Sequence, residues 1–576
     1  MTTCIPTRWP GVVLITPLIV ACVLLGRPML QQTLGLRDLD IAAVLPPGAM
    51  IYLESRDFLG QLQRWSDSRV KQRWLDSESF SQFEKSRLYL RLNEKLQEFN
   101  AIAGVSVDLP LVRSLAGGQA GLGLYGIREL EFVFVTRIPG GAFEQGPFFR
   151  QRPQYEQRLA EGGAYFARSG QNSAAAFAIR NNYFLLATNE NLLRAALHNV
   201  SVAASRDRLS AEPLFQETQA ALPRGEDVWV YLNMGLVQAS RYFRNEWLHE
   251  NFNETSRYRS GVIRLALQAG EYREDRQFLL KEDLAEGGSI DRELLQSLPS
   301  SLEFVKAETA TPRKLATEVH DLLLNRLRRR DQTLSLTRRA APYELAPLLK
   351  SENRYFLQID EPALAAENLQ ESQRREQEMM IAELEGEFQA LGATALAYCA
   401  SPVADAQGYL RNSQAFLMKG ADKDLTSLMQ TLQRHYNRLH HGGNAATWVR
   451  AEGSLQVLGG MPGLAIGISG QWLTLGTPLA FVRTLVTSAR NTSIGADRPL
   501  HYYTRLDLKQ FRPEYTQLFQ LLDYRARPVI DGEPPPFFSG NLRSLLAALD
   551  PIDSISVQRW MKDRTLHEEV IYRGQL

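Results

Sequence analysis

Hydrophobic and polar positions follow three patterns along this chain: one long apolar run near the start, short period-two stretches, and longer stretches with helical spacing. The apolar run, Gly11 to Gly26, reads GVVLITPLIVACVLLG and holds no charge, with Arg8 before it and Arg27 after it. A helix needs about 20 apolar residues to span a bilayer, and Trp9, Pro10, Pro28, Met29 and Leu30 extend the run toward that length. Trp9 suits the lipid–water interface, and the kink that Pro17 imposes is tolerated in membrane helices. The pattern predicts a short tail at 1–10 and a transmembrane signal anchor at 11–27. Two other readings stay open. A cleaved signal peptide has the same basic start and apolar core, although no small-x-small site follows Gly26. A lipoprotein is suggested by Ile19-Val20-Ala21-Cys22, although Val23-Leu24-Leu25 continues the run past the cysteine. Basic residues are nearly balanced across the segment, and the short leading tail favours export of the large C-terminal part.

Beyond residue 40 the pattern alternates between strands and helices and repeats itself. Phe177 to Leu197 (FAIRNNYFLLATNENLLRAAL) and Ile466 to Val486 (IGISGQWLTLGTPLAFVRTLV) align at a constant offset of 289, pairing Ile179 with Ile468, Leu186 with Leu475, Thr188 with Thr477 and Arg194 with Arg483. Both read as strand, tight turn, strand, helix. Asn181-Asn182 and Ser469-Gly470 supply turn residues, and Thr188 and Thr477 are placed to cap the helices. Gln119 to Thr136 reads as a hairpin whose second strand is apolar on both faces, and Ala393 to Met418 holds a comparable pair. Val228 to Leu232 and His501 to Leu506 are further strands. Val262 to Leu267 with Gln277 to Leu280 closes the first unit, and Ile555 to Gln558 with Glu568 to Tyr572 the second. Leu88, Leu92, Leu96 and Phe99 mark a helix before the first hairpin, and Met380, Leu384, Phe388 and Leu391 one before the second. On the second, Glu371, Arg374, Arg375, Glu378 and Glu385 read as a solvated face.

These elements predict an α+β fold of two related units, each an antiparallel sheet with helices on one face, after the N-terminal transmembrane helix. The first unit spans 41–297 and the second 298–576. Residues 298–350 are read either as the start of the second unit or as a connector. Leu298-Pro299 before Leu302 to Lys306 echoes Leu45-Pro46 before Met50 to Glu54, yet Tyr355 to Asp360 also resembles Ile51 to Ser55.

The terminal apolar helix, Leu45-Pro46-Pro47-Gly48 leading into a strand, the Gly121 to Thr136 hairpin and the Tyr183 to Leu197 strand–helix unit together resemble a bacterial family of exported or membrane-anchored proteins of unknown function. The resemblance covers most of the chain after residue 40. It implies cell location and architecture, and carries no catalytic residues.

Composition narrows the chemistry. Lysine and arginine total 65 against 64 aspartates and glutamates, so nothing attracts the chain to nucleic acid in bulk. Three cysteines do not make a disulfide scaffold, and Cys399, in the apolar run Ala395 to Cys399, reads as a buried, inert thiol. The eight histidines form no HExxH pattern, and no paired CxxC occurs. His435, His440 and His441 cluster at the end of a polar helix and read as an exposed terminus, since a five-residue spacing does not align two ligands on one face. His567 and Glu569 share a strand face and read as a surface ladder. Gly121, Gly123 and Gly126 fall inside a hairpin, where they signal a bulge or close packing instead of a nucleotide loop. No catalytic, cofactor-binding or metal residues are named, and no cofactor is implied. One basic amphipathic stretch, Arg326, Arg328, Arg329 and Arg330 with Arg338 and Arg339, is suited to anionic lipid headgroups, or else to a solvated helix end.

The expectation is a single-pass protein of the bacterial inner membrane with its large C-terminal part in the periplasm or outside the cell. Residues 11–27 would meet the bilayer, and the folded part would bind or scaffold an envelope protein partner. The alternative is an envelope enzyme, hydrolase-like, with an unfamiliar site.

Overall fold

A computed structural model of the chain describes residues 40–575, apart from 242–254, 325–362, 488–497, 513–549 and shorter breaks. The tail 1–10 and the expected anchor 11–27 lie outside the described residues. Among those described, no helix is long and apolar enough to cross a membrane. The fold mixes helices with antiparallel strands, as the α+β expectation required. Contacts divide the described residues into two units. One holds the elements up to residue 284 with the chain's last strand, and the other holds those from residue 285 through 553–560.

The N-terminal unit is built on β1 (Ile51–Ser55), β2 (Ala120–Gly126), β3 (Glu131–Arg137), β4 (Glu156–Ala160), β5 (Gly163–Ser169), β6 (Ala174–Arg180), β7 (Tyr183–Ala187), β8 (Val228–Asn233), β9 (Tyr258–Gln268) and β10 (Glu271–Leu280). Their spatial order is β4-β5-β6-β7-β3-β2-β1-β8-β9-β10, antiparallel throughout. Covering helices are α1 (Ile41–Val44), α2 (Arg87–Ala103), α3 (Glu190–Ser201) and α4 (Pro213–Ala221). Local chemistry fixes the joints. Asn181 and Asn182 take φ of 49° and 64° between β6 and β7, the mirror-image turn that matches strand twist. A Cβ on Gly121 would lie 2.4 Å from Ile41 Cγ2, so α1 seats on β2 only because that position is glycine. The register shifts between Leu124 and Gly126, placing a bulge where the glycine pattern suggested one.

The expectation of helices on one face is corrected. Every residue of β7 is buried. Leu185, Ala176 and Val133 pack with Leu193 and Leu197 of α3 and Phe215 of α4, whereas Phe184, Leu186 and Phe177 pack with Phe99 of α2 and with Phe148. Strands apolar at successive positions bury both faces, and each face needs its own cover.

The C-terminal unit repeats this scheme with β11 (Phe304–Thr309), β12 (Ala395–Ala404), β13 (Leu410–Lys419), β14 (Trp448–Glu452), β15 (Leu455–Leu458), β16 (Leu464–Ser469), β17 (Trp472–Thr477), β18 (Leu500–Asp507) and β19 (Ile552–Lys562). The order is β14-β15-β16-β17-β13-β12-β11-β18-β19. Its helices are α5 (Arg292–Gln296), α6 (Pro312–Glu318), α7 (Ala363–Leu391), α8 (Thr426–Leu439) and α9 (Leu479–Thr487). Here too both faces are covered. Leu315 of α6, Leu384 and Phe388 of α7 and Leu432 of α8 share one core with Tyr398 and Phe416, while Leu294 of α5 and Phe481 and Leu485 of α9 join Cys399 and Leu417 in another.

Arg180 faces Tyr183 across the β6–β7 turn, and Ser469 faces Trp472 across β16–β17, so the offset of 289 runs through both hairpins. Two local expectations shift. The second turn is Gly470-Gln471, since Ser469 is still paired in β16. The cap of α3 is Asn189, whose side chain accepts from Asn191 N–H. Thr188 instead receives Phe132 N–H and donates to the Leu130 carbonyl. Finally, Glu568 to Tyr572, read from the sequence as the close of the second unit, lies in β20 (Thr565–Gly574), which pairs with β10. Period-two alternation identifies a strand without naming its neighbour.

Candidate functional site

Each unit ends its sheet on an edge. Among the described residues, β4 pairs only with β5 and β14 only with β15. Such edges leave a row of backbone N–H and C=O groups open to another strand. Both carry an exposed apolar side chain: Leu159 on β4 is 82% exposed and Val449 on β14 57%. Neighbouring charges are tied down locally. Arg158 bonds Glu156 and Glu190 at 2.6 Å each, and Arg450 Nε donates to the Gly453 carbonyl at 3.0 Å.

A charged seam lies where β10 meets β20. Alternation puts Glu274 and Arg276 on one face of β10 and Glu568 on the same face of β20. All three are buried, at 3%, 8% and 5% exposure. Arg276 Nε donates to Glu274 at 2.8 Å and Nη1 to Glu568 at 2.5 Å. Burial works against the guanidinium charge, but the two carboxylates outweigh it and hold the group firmly protonated. On the same strands Tyr272 and Tyr572 lie opposite one another, ring centroids 5.4 Å apart. Burial first, and the Glu274 charge second, push both phenols well above their ordinary range.

The C-terminal unit holds two further polar clusters. In the first, Lys306 of β11 meets Glu308 at 2.5 Å and Glu318 of α6 at 3.1 Å, and Lys314 meets Glu308 at 2.8 Å. Burial would raise both carboxyls. Lys306 and Lys314 overcome it at Glu308 and pull that group down, whereas Glu318 stays raised. In the second, α7 and α8 are joined by His435 Nε2 to Glu383 (3.0 Å), Arg434 to Glu383 (3.1 Å) and Arg438 to Glu376 (2.6 Å). Beside them His320, in a π-helical turn at Val319–Leu324, contacts Asp321 at 2.8 Å. A carboxylate only accepts, so His435 Nε2 carries the proton and Nδ1 is bare. Nδ1 is buried with no hydrogen-bond partner among the described residues. Burial holds the imidazole below its ordinary value despite Glu383, and Arg434 and His320 add to that. The same hydrogen bond draws Glu383 down.

These positions revise several expectations. His435 is not an exposed terminus but 2% exposed, because its face of α8 packs inward beside Leu432 and Tyr436. His440 and His441 lie outside the described residues, as do Arg326, Arg328, Arg329, Arg330, Arg338 and Arg339. The face read as solvated is exposed at Arg374, Arg375 and Glu378, the last pairing with Arg313 of α6, whereas Glu385 is half-buried against the same arginine. Glu569, read as part of a surface ladder, is buried and meets Arg273 at 3.6 Å. Cys399 is buried as expected, its thiol pushed up to about 12 by burial. Among the described residues no group of three His, Cys, Asp or Glu is placed to hold a metal ion. Sequence reasoning missed the Arg276 seam. Its one advance signal was Glu-x-Arg in a period-two stretch, a charge pair on a face that otherwise reads apolar.

No family model matches the chain, and no curated protein matches it. Among solved structures, crystal form III of TP0453 aligns with 43% of this chain and 83% of its own, at 12% identity and a TM-score of 0.24. Crystal form IV of TP0453 aligns with 42% of this chain and 81% of its own, at 12% identity and a TM-score of 0.24.

Proposed function

We propose that this chain is an extracytoplasmic binding or scaffolding protein of the bacterial cell envelope. Residues 11–27 hold it in the inner membrane, its folded part lies on the outer side, and Arg326, Arg328, Arg329 and Arg330 meet anionic headgroups. The observation that carries the binding reading is the pair of edges, β4 and β14, that no second strand covers among the described residues, which end their sheets at corresponding places and expose Leu159 and Val449. An open edge takes an extended partner segment as an added strand, with backbone hydrogen bonds for affinity and alternate side chains for selectivity. The polar clusters are less suited to catalysis. Glu308, His320 and His435 are buried, so a substrate would reach them only if the packed helices parted. The enzyme reading rests on Glu308 and Glu318, whose environments push their pKa values apart as a general base and acid require.

The test is site-specific photo-crosslinking in intact cells with the probe at Leu159 or Val449, and at Met379 on α7 as the exposed control. Discrete protein adducts from the two edge positions and none from Met379 are expected. Edge positions that yield no more adduct than Met379 would refute strand addition. Fractionation of the same cells checks the anchor: the full-length polypeptide should need detergent for release, and free release on lysis would end the membrane reading.

A further inference from the structure

Alternation divides the outer strands of the N-terminal unit into two faces. Gln157 and Leu159 of β4 stand opposite Phe166 and Ala164 of β5, and Phe166 stands opposite Phe177 of β6. Arg168 and Ile179 continue the same face on β5 and β6. Further in, this face is covered, with Phe177 and Phe184 packed against Phe99 of α2 and Phe148. At its margin it stays exposed: Leu159 is 82% exposed, Ile179 38%, and Ala164 is exposed as well. The opposite face of β5 is closed, with Tyr165 and Ala167 buried in one core with Leu193 and Leu197 of α3.

Charge is sorted by face. The Arg152 guanidinium lies over the Phe166 and Phe149 rings, 4.9 and 5.3 Å from their centroids. Arg168 Nη1 donates to Gln154 at 3.0 Å, and among the described residues neither cation meets a carboxylate. The nearby acids turn the other way. Glu156 pairs with Arg158, which also holds Glu190 of α3, and Glu161, at the β4–β5 turn, approaches His198 of α3 at 3.5 Å. On α2, Glu94 and Glu98 are paired with Arg91 and Lys95. The exposed margin is therefore apolar and cationic, on a chain whose net charge is only +1.

A strand added to β4 lays every second side chain along this face, beside Gln157 and Leu159. Opposite charges brought together there are favoured and like charges penalised. A guanidinium backed by an aromatic ring is partly stripped of water, which strengthens its pull on a carboxylate. We propose that the segment accepted by β4 carries, two residues apart and so on one face, a carboxylate for Arg152 and Arg168 and an apolar side chain for Leu159 and Ile179. This assignment of the partner rests on the strand-addition reading of that edge.

The test uses the full-length protein with a photo-crosslinker at Leu159 and two fluorescent peptides, threonine-rich strands that carry either glutamate and valine or lysine and valine two residues apart. The glutamate peptide should be captured at roughly tenfold lower concentration than the lysine peptide. N-methylation of alternate backbone amides, in one of its two phases, should abolish capture, and Arg152→Glu with Arg168→Glu should transfer the advantage to the lysine peptide. If the reversed protein does not fold, salt replaces it: raising the ionic strength from about 0.05 to 0.5 M should close most of the gap between the peptides. Equal capture of the two peptides, each still lost on N-methylation, overturns the acidic assignment and leaves strand addition standing. Capture indifferent to N-methylation, or none from either peptide, overturns both. A glutamate preference that survives the reversal or the salt overturns the assignment, as does a Leu159 adduct in cells that is lipid instead of polypeptide.

Discussion

Two buried seams join neighbouring elements in different chemistry. On β10 and β20 the joining group is Arg276, held by Glu274 and Glu568. On α7 and α8 it is His435, held by Glu383 with its other ring nitrogen bare. A guanidinium keeps its charge at any pH a protein meets, so the strand seam is a fixed ion cluster. An imidazole does not. The contrast separates a seam that depends on charge from one that depends on its absence.

The largest expected effect breaks the first seam. Arg276→Met leaves two buried carboxylates without their shared cation and should cost about 3–5 kcal/mol, read as lower amide protection factors in 271–279, by a factor that changes little between pH 6 and 9. The second seam should fail with acid. The folded-state value of His435 is depressed, so the unfolded chain binds the proton first as pH falls. The seam's contribution is complete above the unfolded value and is lost as pH falls through the depressed one. Protonation would place an N–H on buried Nδ1, which has no acceptor among the described residues, a cost of about 1–3 kcal/mol. Amide protection factors in 426–439, taken relative to the intrinsic exchange rate at each pH, should therefore fall from pH 8 to 5, and His435→Gln should flatten that slope. An unchanged slope in the variant would mean that another group senses the acid. The smallest effect uses the same carboxylate: Arg434 is 63% exposed beside Glu383, so Arg434→Ala should change stability by less than about 1 kcal/mol.

Much of the framework was legible in the sequence because period carries it. Met380, Leu384, Phe388 and Leu391 were read as one face of a helix, and all four are buried in α7. Asn181-Asn182 announced its turn by composition alone. The second helical layer was less legible. β7 reads YFLLA, and its double-sided burial requires two covers, but no single helix pattern says which face it will take. The partner of β20 was not legible, because Glu568 and Arg276 meet only through pairing across 292 positions. His435 misled for a related reason: its neighbours along the chain are polar, whereas its neighbours in space are Glu383 and the packed face of α8. That β4 and β14 lack a second neighbour among the described residues was invisible in principle, since a strand's own residues do not record which of its sides is paired.

The pairing of β10 with β20 also sets a timetable for biosynthesis. β10 is complete at Leu280, and its neighbour begins only at Thr565. At about 5–20 residues per second, a ribosome leaves the flank of β10 uncovered for roughly 15–60 s. During that interval the nascent polypeptide displays a strand whose later neighbour has not yet been made, and neighbouring ribosomes on the same message hold other incomplete sheets close by. The hazard of mispairing therefore falls in the minute of manufacture, before the mature protein exists.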